Sequence, residues 1–89
     1  MGKPAVHIEL YTSRLCPRCR QARELLAGLV RELGEQDYEL ECIDVIDNID
    51  RSVARGVLAT PSLVIDDQLI GALPGREALS ELLQHHASH

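Results

Sequence analysis

Near the start of the chain, Val6, Ile8 and Leu10 alternate with the polar His7 and Glu9. That period of two predicts a strand over residues 5–11 with the aliphatic side chains facing a core and His7 at the surface. The period then lengthens. Ala22, Leu25, Leu26, Leu29, Val30 and Leu33 recur at helical spacing, Pro17 suits the first helical position, and Gly34 marks the stop. Arg18, Arg20, Arg23, Glu24, Arg31 and Glu32 fall on the wetter sides of that helix. A second strand is expected over residues 38–45. Asp47 then caps a short helix running to about Arg55 and ended by Gly56. Beyond a loop carrying Thr60-Pro61, Leu63-Val64-Ile65 reads as a third strand. Asp66-Asp67 forms a tight turn into Gln68-Leu69-Ile70, so the last two strands pair as a hairpin. Ala78, Leu79, Leu82 and Leu83 give an apolar stripe to a final helix from about Gly75. The order is β-α-β-α-β-β-α, an α/β fold. Two right-handed crossovers followed by a hairpin predict a mixed four-stranded sheet with helices on both faces.

Composition narrows the function classes. Eighty-nine residues make a single domain over 1–89 with its core at about 5–84, and 45% hydrophobic content supports a packed interior. With no Phe, no Trp and two Tyr, that interior is aliphatic. Stacking platforms for single-stranded nucleic acid are missing, and a net charge of −5 is the wrong sign for phosphate, so no nucleic acid partner is expected. No window approaches the roughly 20 apolar residues of a membrane span. The opening stretch is broken by polar residues, unlike a secretory signal, so a cytoplasmic address and no membrane partner are expected. The acidic surface suggests a partner of basic character.

Three cysteines are an odd number for a disulfide framework, and in a reducing compartment a Cys-x-x-Cys pair is catalytic or metal-binding. Cys16 and Cys19 lie just before and just inside the helix that Pro17 begins. One helical turn brings their Cα atoms to about 5–5.5 Å, within disulfide range. At the helix N-terminus, unpaired N–H groups and the macrodipole stabilise a Cys16 thiolate, and Arg14, Arg18 and Arg20 add positive charge. Cys16 is then the attacking nucleophile and Cys19, one turn in, the resolving thiol. A charge at Arg18 is further expected to make the protein more oxidising. A zinc site needs two more ligands, and no second Cys-x-x-Cys exists. Cys42 reads as a small buried strand residue. His85, His86 and His89 read as a frayed polar tail, with weak metal binding as the alternative. Thr60-Pro61, opening a strand that reads as central, is either an ordinary trans loop proline or a proline with a special role.

The element order, Cys-Pro-x-Cys and the Thr-Pro before a hairpin resemble the thioredoxin-like superfamily over roughly residues 5–84. The segment Tyr11-Thr12-Ser13-Arg14-Leu15-Cys16-Pro17-Arg18-Cys19 is most similar to glutaredoxins and small glutaredoxin-like thioredoxins. The resemblance implies that Cys16 attacks, that Cys19 resolves, and that Pro61 is the cis proline beside them. It also implies that the Thr60 backbone pairs with an extended substrate segment. Three departures stand out. Leu15 replaces the tryptophan before the first cysteine of thioredoxins. Leu10 occupies the place of their buried acid, so another base or solvent must serve Cys19. Ser13-Arg14 and Gly71-Ala72-Leu73-Pro74-Gly75-Arg76 differ from the lysine and acid with which glutaredoxins hold glutathione; Arg14 can stand in for the lysine.

Three readings follow. The first is a monomeric dithiol oxidoreductase that reduces protein disulfides or carries electrons. It needs no cofactor beyond its own Cys16–Cys19 disulfide, and it is served by an upstream reductase or glutathione. Cys16 and Cys19 are its catalytic pair, Thr60 and Pro61 frame the substrate, and Pro17, Arg18 and Arg14 modulate. The second is a glutathione-dependent glutaredoxin. The third is a metal-binding module built on the cysteine pair.

Overall fold

The computed structural model describes residues 5–88. Its elements are β1 (Val6–Thr12), α1 (Pro17–Leu33), a single 3-10 turn (Glu35–Asp37), β2 (Tyr38–Asp44), α2 (Ile49–Ala54), β3 (Ser62–Ile65), β4 (Gln68–Gly71) and α3 (Arg76–Ala87). The strands form one mixed sheet in the order β2-β1-β3-β4. β1 runs parallel to β2 and antiparallel to β3, and β3 is antiparallel to β4. Only β1-α1-β2 is therefore a parallel crossover, where two had been expected. α2 returns the chain on the other face, so that β3 enters reversed.

The alternation in β1 sends Val6, Ile8 and Leu10 into the larger core with Leu26 and Leu29 of α1, Leu63 and Ile65 of β3, and Leu79 and Leu83 of α3. Each fully buried aliphatic side chain contributes about 1.5–3 kcal/mol, so this face supplies most of the apolar stabilisation. Ala78, assigned to the α3 stripe by spacing, is exposed. The other sheet face carries a smaller cluster of Tyr11, Ile43 and Val64 on the α2 side.

Turn chemistry fixes the joints. Gly34 ends α1 at φ +119°, with its N–H on the Val30 carbonyl at 2.9 Å. Asp66 and Asp67 both take positive φ, the geometry of a two-residue hairpin turn. Asp66 Oδ1 accepts the His7 N–H at 3.0 Å, and Asp67 meets Arg55 at 2.6 Å. These contacts hold acids where Asn-Gly is the commoner choice. The tail expected after Leu83 is helical through Ala87, and His86 Nδ1 lies 3.1 Å from Asp66 Oδ2. His85 stacks edge-on to His86. Residue 89 lies outside the described residues.

The polar side of β1 differs from expectation. Glu9 is 1% exposed. Arg51 and Arg55 reach it from α2 and its C-terminal cap, with Arg55 Nε at 3.1 Å, and Tyr11 donates to it at 3.0 Å. A buried carboxylate is tolerated there because both of its oxygens meet donors, two of them from guanidinium groups.

Candidate functional site at the start of helix α1

Pro17 fixes the first helical φ, so Cys16 becomes the N-cap residue with extended backbone (φ −94°, ψ 109°). The Cys16 N–H is held by the Ser13 carbonyl at 3.1 Å, and the Cys19 N–H points back to the Cys16 carbonyl at 3.3 Å. Cys16 is half-buried; Cys19, one turn inward, is 5% exposed. Both are free thiols.

The two thiols have opposite tendencies. Cys16 is lowered from the usual thiol range by a hydrogen bond from the Cys19 thiol, by the Thr60 hydroxyl, and by the Cys19 and Arg18 N–H groups, all of which outweigh partial desolvation. Burial pushes Cys19 up, and its role as donor to Cys16 pushes it further, against weaker pulls from the Ser13 N–H and Thr60. A half-buried thiolate open to solvent on one side, backed by a protonated thiol, is the arrangement that attack and resolution require.

The Thr60–Pro61 peptide is cis, and Thr60 and Pro61 line a groove of about 420 Å³ with Ala59, Arg18, Leu25 and Leu73. A second opening, about 400 Å³, joins Thr60 to Cys16, Leu15 and Arg18. Leu15 is 94% exposed and Leu58, two residues before Thr60, is 98% exposed. On the other side of the thiols a cleft of about 360 Å³ is lined by Cys16, Cys19, Arg14, Arg20, Arg23 and Cys42, among others.

Several assignments change in detail. Arg14 turns to Asp47 at 3.1 Å and Asp44 at 3.6 Å, so its charge is largely answered by acids. Arg18 serves the Cys16 thiolate through its N–H, while its side chain lines the apolar groove. Cys42 is exposed, not buried, because β2 is the sheet edge and α1 leaves a cleft over it. Its thiol is raised by partial desolvation, with Arg23 opposing. Leu10 is fully buried in the aliphatic core. Among the described residues no third metal-ligating side chain joins Cys16 and Cys19. The one such cluster is His7, Glu9 and Glu41, and there Arg51 already occupies both carboxylates.

A parallel βαβ unit with paired thiols at the helix start, facing a cis proline at the head of an antiparallel hairpin, defines a thiol–disulfide oxidoreductase of the thioredoxin fold. Residues 6–84 match the thioredoxin domain family. A thioredoxin from Methanocaldococcus jannaschii is 37% identical over 81 residues, covering 89% of this chain and 93% of that protein. A probable thioredoxin from Methanothermobacter marburgensis is 34% identical over 80 residues, covering 88% and 92%. Among solved structures, the N21Q mutant thioredoxin from Halobacterium salinarum superposes with a TM-score of 0.78 at 23% identity, covering 92% of this chain and 74% of that one. Thioredoxin 1 from Thermosipho africanus gives 0.75 at 17%, covering 92% and 94%. The chain belongs to the thioredoxin domain family.

Proposed function

We propose that this protein reduces protein disulfides through a Cys16/Cys19 dithiol–disulfide cycle. The observation that carries the reading is the half-buried Cys16 at the N-cap of α1 with Cys19 buried directly behind it. The Cys16 thiolate attacks one sulfur of a substrate disulfide; that S–S bond breaks, a mixed disulfide forms, and the departing sulfur takes up a proton. Cys19 then loses its proton and attacks the Cys16 sulfur. The second substrate thiol leaves, and Cys16 and Cys19 are joined as a disulfide. Two electrons pass to the substrate, with one proton from Cys19 and one from solvent, and an upstream dithiol reductase or glutathione returns the electrons.

On this reading Cys16 and Cys19 are catalytic. Thr60 and Pro61 frame an extended substrate segment, and Pro17, Arg18 and Arg14 modulate the Cys16 thiol. The redox-active disulfide serves in place of any added cofactor. The chain works as one domain and as a monomer in the cytoplasm; no helix of the described residues is long and apolar enough to cross a membrane.

The test is to equilibrate the protein in graded glutathione buffers, trap it by alkylation and weigh it. A two-electron interconversion of the Cys16–Cys19 pair with a single midpoint is expected. A dominant glutathione adduct on Cys16 would transfer the assignment to a glutaredoxin, and an inert pair holding metal would end the redox reading.

A further inference from the structure

The charge around the thiols is opposite to that of the molecule as a whole. Between Glu9 and Glu24 there is no acidic residue, yet Arg14, Arg18, Arg20 and Arg23 all lie there. These are four of the nine basic residues, which leaves five to face all fourteen acids elsewhere. The arginines sit on both sides of the reacting sulfur. Arg18 stands at the apolar groove with Ala59, Pro61, Leu73 and Pro74. Arg20 and Arg23 line the cleft beyond Cys19, whose wall also holds Arg14 and Asp44 as an ion pair at 3.6 Å. Arg18 and Arg23 are exposed, and among the described residues neither has an acid within ion-pair distance. Arg20 has only Glu24, one helical turn away at 3.4 Å, an exposed pair of small worth. The groove on the Arg18 side is apolar, and Leu15 beside Cys16 is almost wholly exposed. A carboxylate-bearing aliphatic segment complements these features; a basic one, suggested by net charge alone, does not.

We propose that the substrate is a protein disulfide in an acidic context: an aliphatic residue for the groove, with carboxylates flanking the attacked cysteine and reaching Arg18 on one side and Arg20 and Arg23 on the other. This rests on the dithiol reading above and names its substrate class. The arginines act on encounter and on orientation of the mixed disulfide, so their effect falls on the second-order rate of attack and is screened by salt.

The experiment mixes the pre-reduced protein with disulfide-bonded peptides identical except for the residues flanking the cysteines, which are Glu, Gln or Lys, and measures single-turnover rate constants. The Glu peptide is expected to react about 5- to 10-fold faster than the Lys peptide at low salt, with Gln between them, and the ratio to fall towards one in about 0.5 M salt. Arg18→Gln/Arg23→Gln collapses the Glu-to-Lys ratio. Arg31→Gln, at the far end of α1, keeps it, which separates a local effect from net charge. Equal rates for the three peptides, a preference for Lys, or a Glu preference that survives the double substitution overturns the proposal and leaves the dithiol cycle standing. Oxidised glutathione reacting faster than the Glu peptide overturns it in favour of a small anionic disulfide. Failure to reduce any of these disulfides overturns the dithiol cycle and this proposal together.

Discussion

The Tyr11 hydroxyl donates to the Glu9 carboxylate at 3.0 Å, two residues back on the same strand, and both side chains are sealed on the α2 side of the sheet. Arg51 bridges Glu9 to Glu41 on the neighbouring strand, and Arg55 joins Glu9 to Asp67 in the hairpin turn. One buried carboxylate thus ties α2 to β1, β2 and the hairpin, and so supports the loop that carries Thr60 and Pro61.

Removing that carboxylate takes one partner from each of two guanidinium groups and leaves Arg51 with Glu41 and Arg55 with Asp67. Glu9→Ala should cost about 2–3 kcal/mol, below the range for fully buried pairs because both arginines remain partly solvated. For a domain of this size the midpoint of thermal unfolding drops by roughly 10–20 °C. Burial raises the Glu9 pKa, but Arg51, Tyr11 and Arg55 together more than reverse this, and the folded-state value lies below the ordinary 4.5. Glu41 is lowered in the same direction, chiefly by Arg51. The stability these carboxylates contribute is therefore fully present above about pH 4.5 and is lost as the pH falls through their folded-state values. Thermal melts between neutral and acid pH should show Glu9→Gln with a flatter acid limb than the parent. An unchanged acid limb would mean that the network is not its source.

The thiols should separate in a pH-resolved alkylation. Cys16 is lowered and both Cys19 and Cys42 are raised, so Cys16 carries the largest thiolate fraction at neutral pH. Nucleophilicity falls as the pKa falls, which offsets part of that gain. Iodoacetamide should still label Cys16 about three- to tenfold faster than Cys42 near pH 7, as mapped by peptide mass. Faster labelling of Cys42 would contradict the assignment of the attacking thiol.

Outside the motif, the Thr60 hydroxyl stabilises the Cys16 thiolate. Thr60→Val keeps the shape and removes that donor. The alkylation profile of Cys16 should move to higher pH, with the far-ultraviolet spectrum and melting curve preserved. A profile that stays in place would leave the backbone N–H groups as sufficient.

Much of this was legible in the sequence, and its failures have physical causes. Helix α1 matched from Pro17 to Leu33 because capping, propensity and a broad apolar stripe agree there. The hairpin was found from its turn alone. Strand alternation misled at Glu9, because period two separates two faces without saying whether the polar one is wet; Arg51 and Arg55, four residues apart on one helix and both basic, were the signal that an acid lay opposite. Cys42 differs for the converse reason: a cysteine on a strand reads as a small buried hydrophobe, but edge position depends on topology. Net charge averages over the whole surface and so hides the local excess of arginines beside the two sulfurs.

That excess bears on the redox poise. A positive charge between the thiols would be expected to favour the thiolate and make the couple more oxidising. In the structure the Arg18 contribution to Cys16 is its N–H, which any residue except proline supplies, while the side chain is exposed beside the groove. An exposed charge acts through water, whose high dielectric constant keeps its pull on the sulfur small. Arg18→Gln should therefore move the reduction potential by no more than about 10 mV, about a third of the roughly 30 mV that makes a tenfold change in equilibrium. The measurement is the midpoint in graded glutathione buffers, with parent and variant run side by side. A fall of about 30 mV or more would mean that the guanidinium charge reaches the sulfur after all, and Arg18 would then set the potential as well as the substrate.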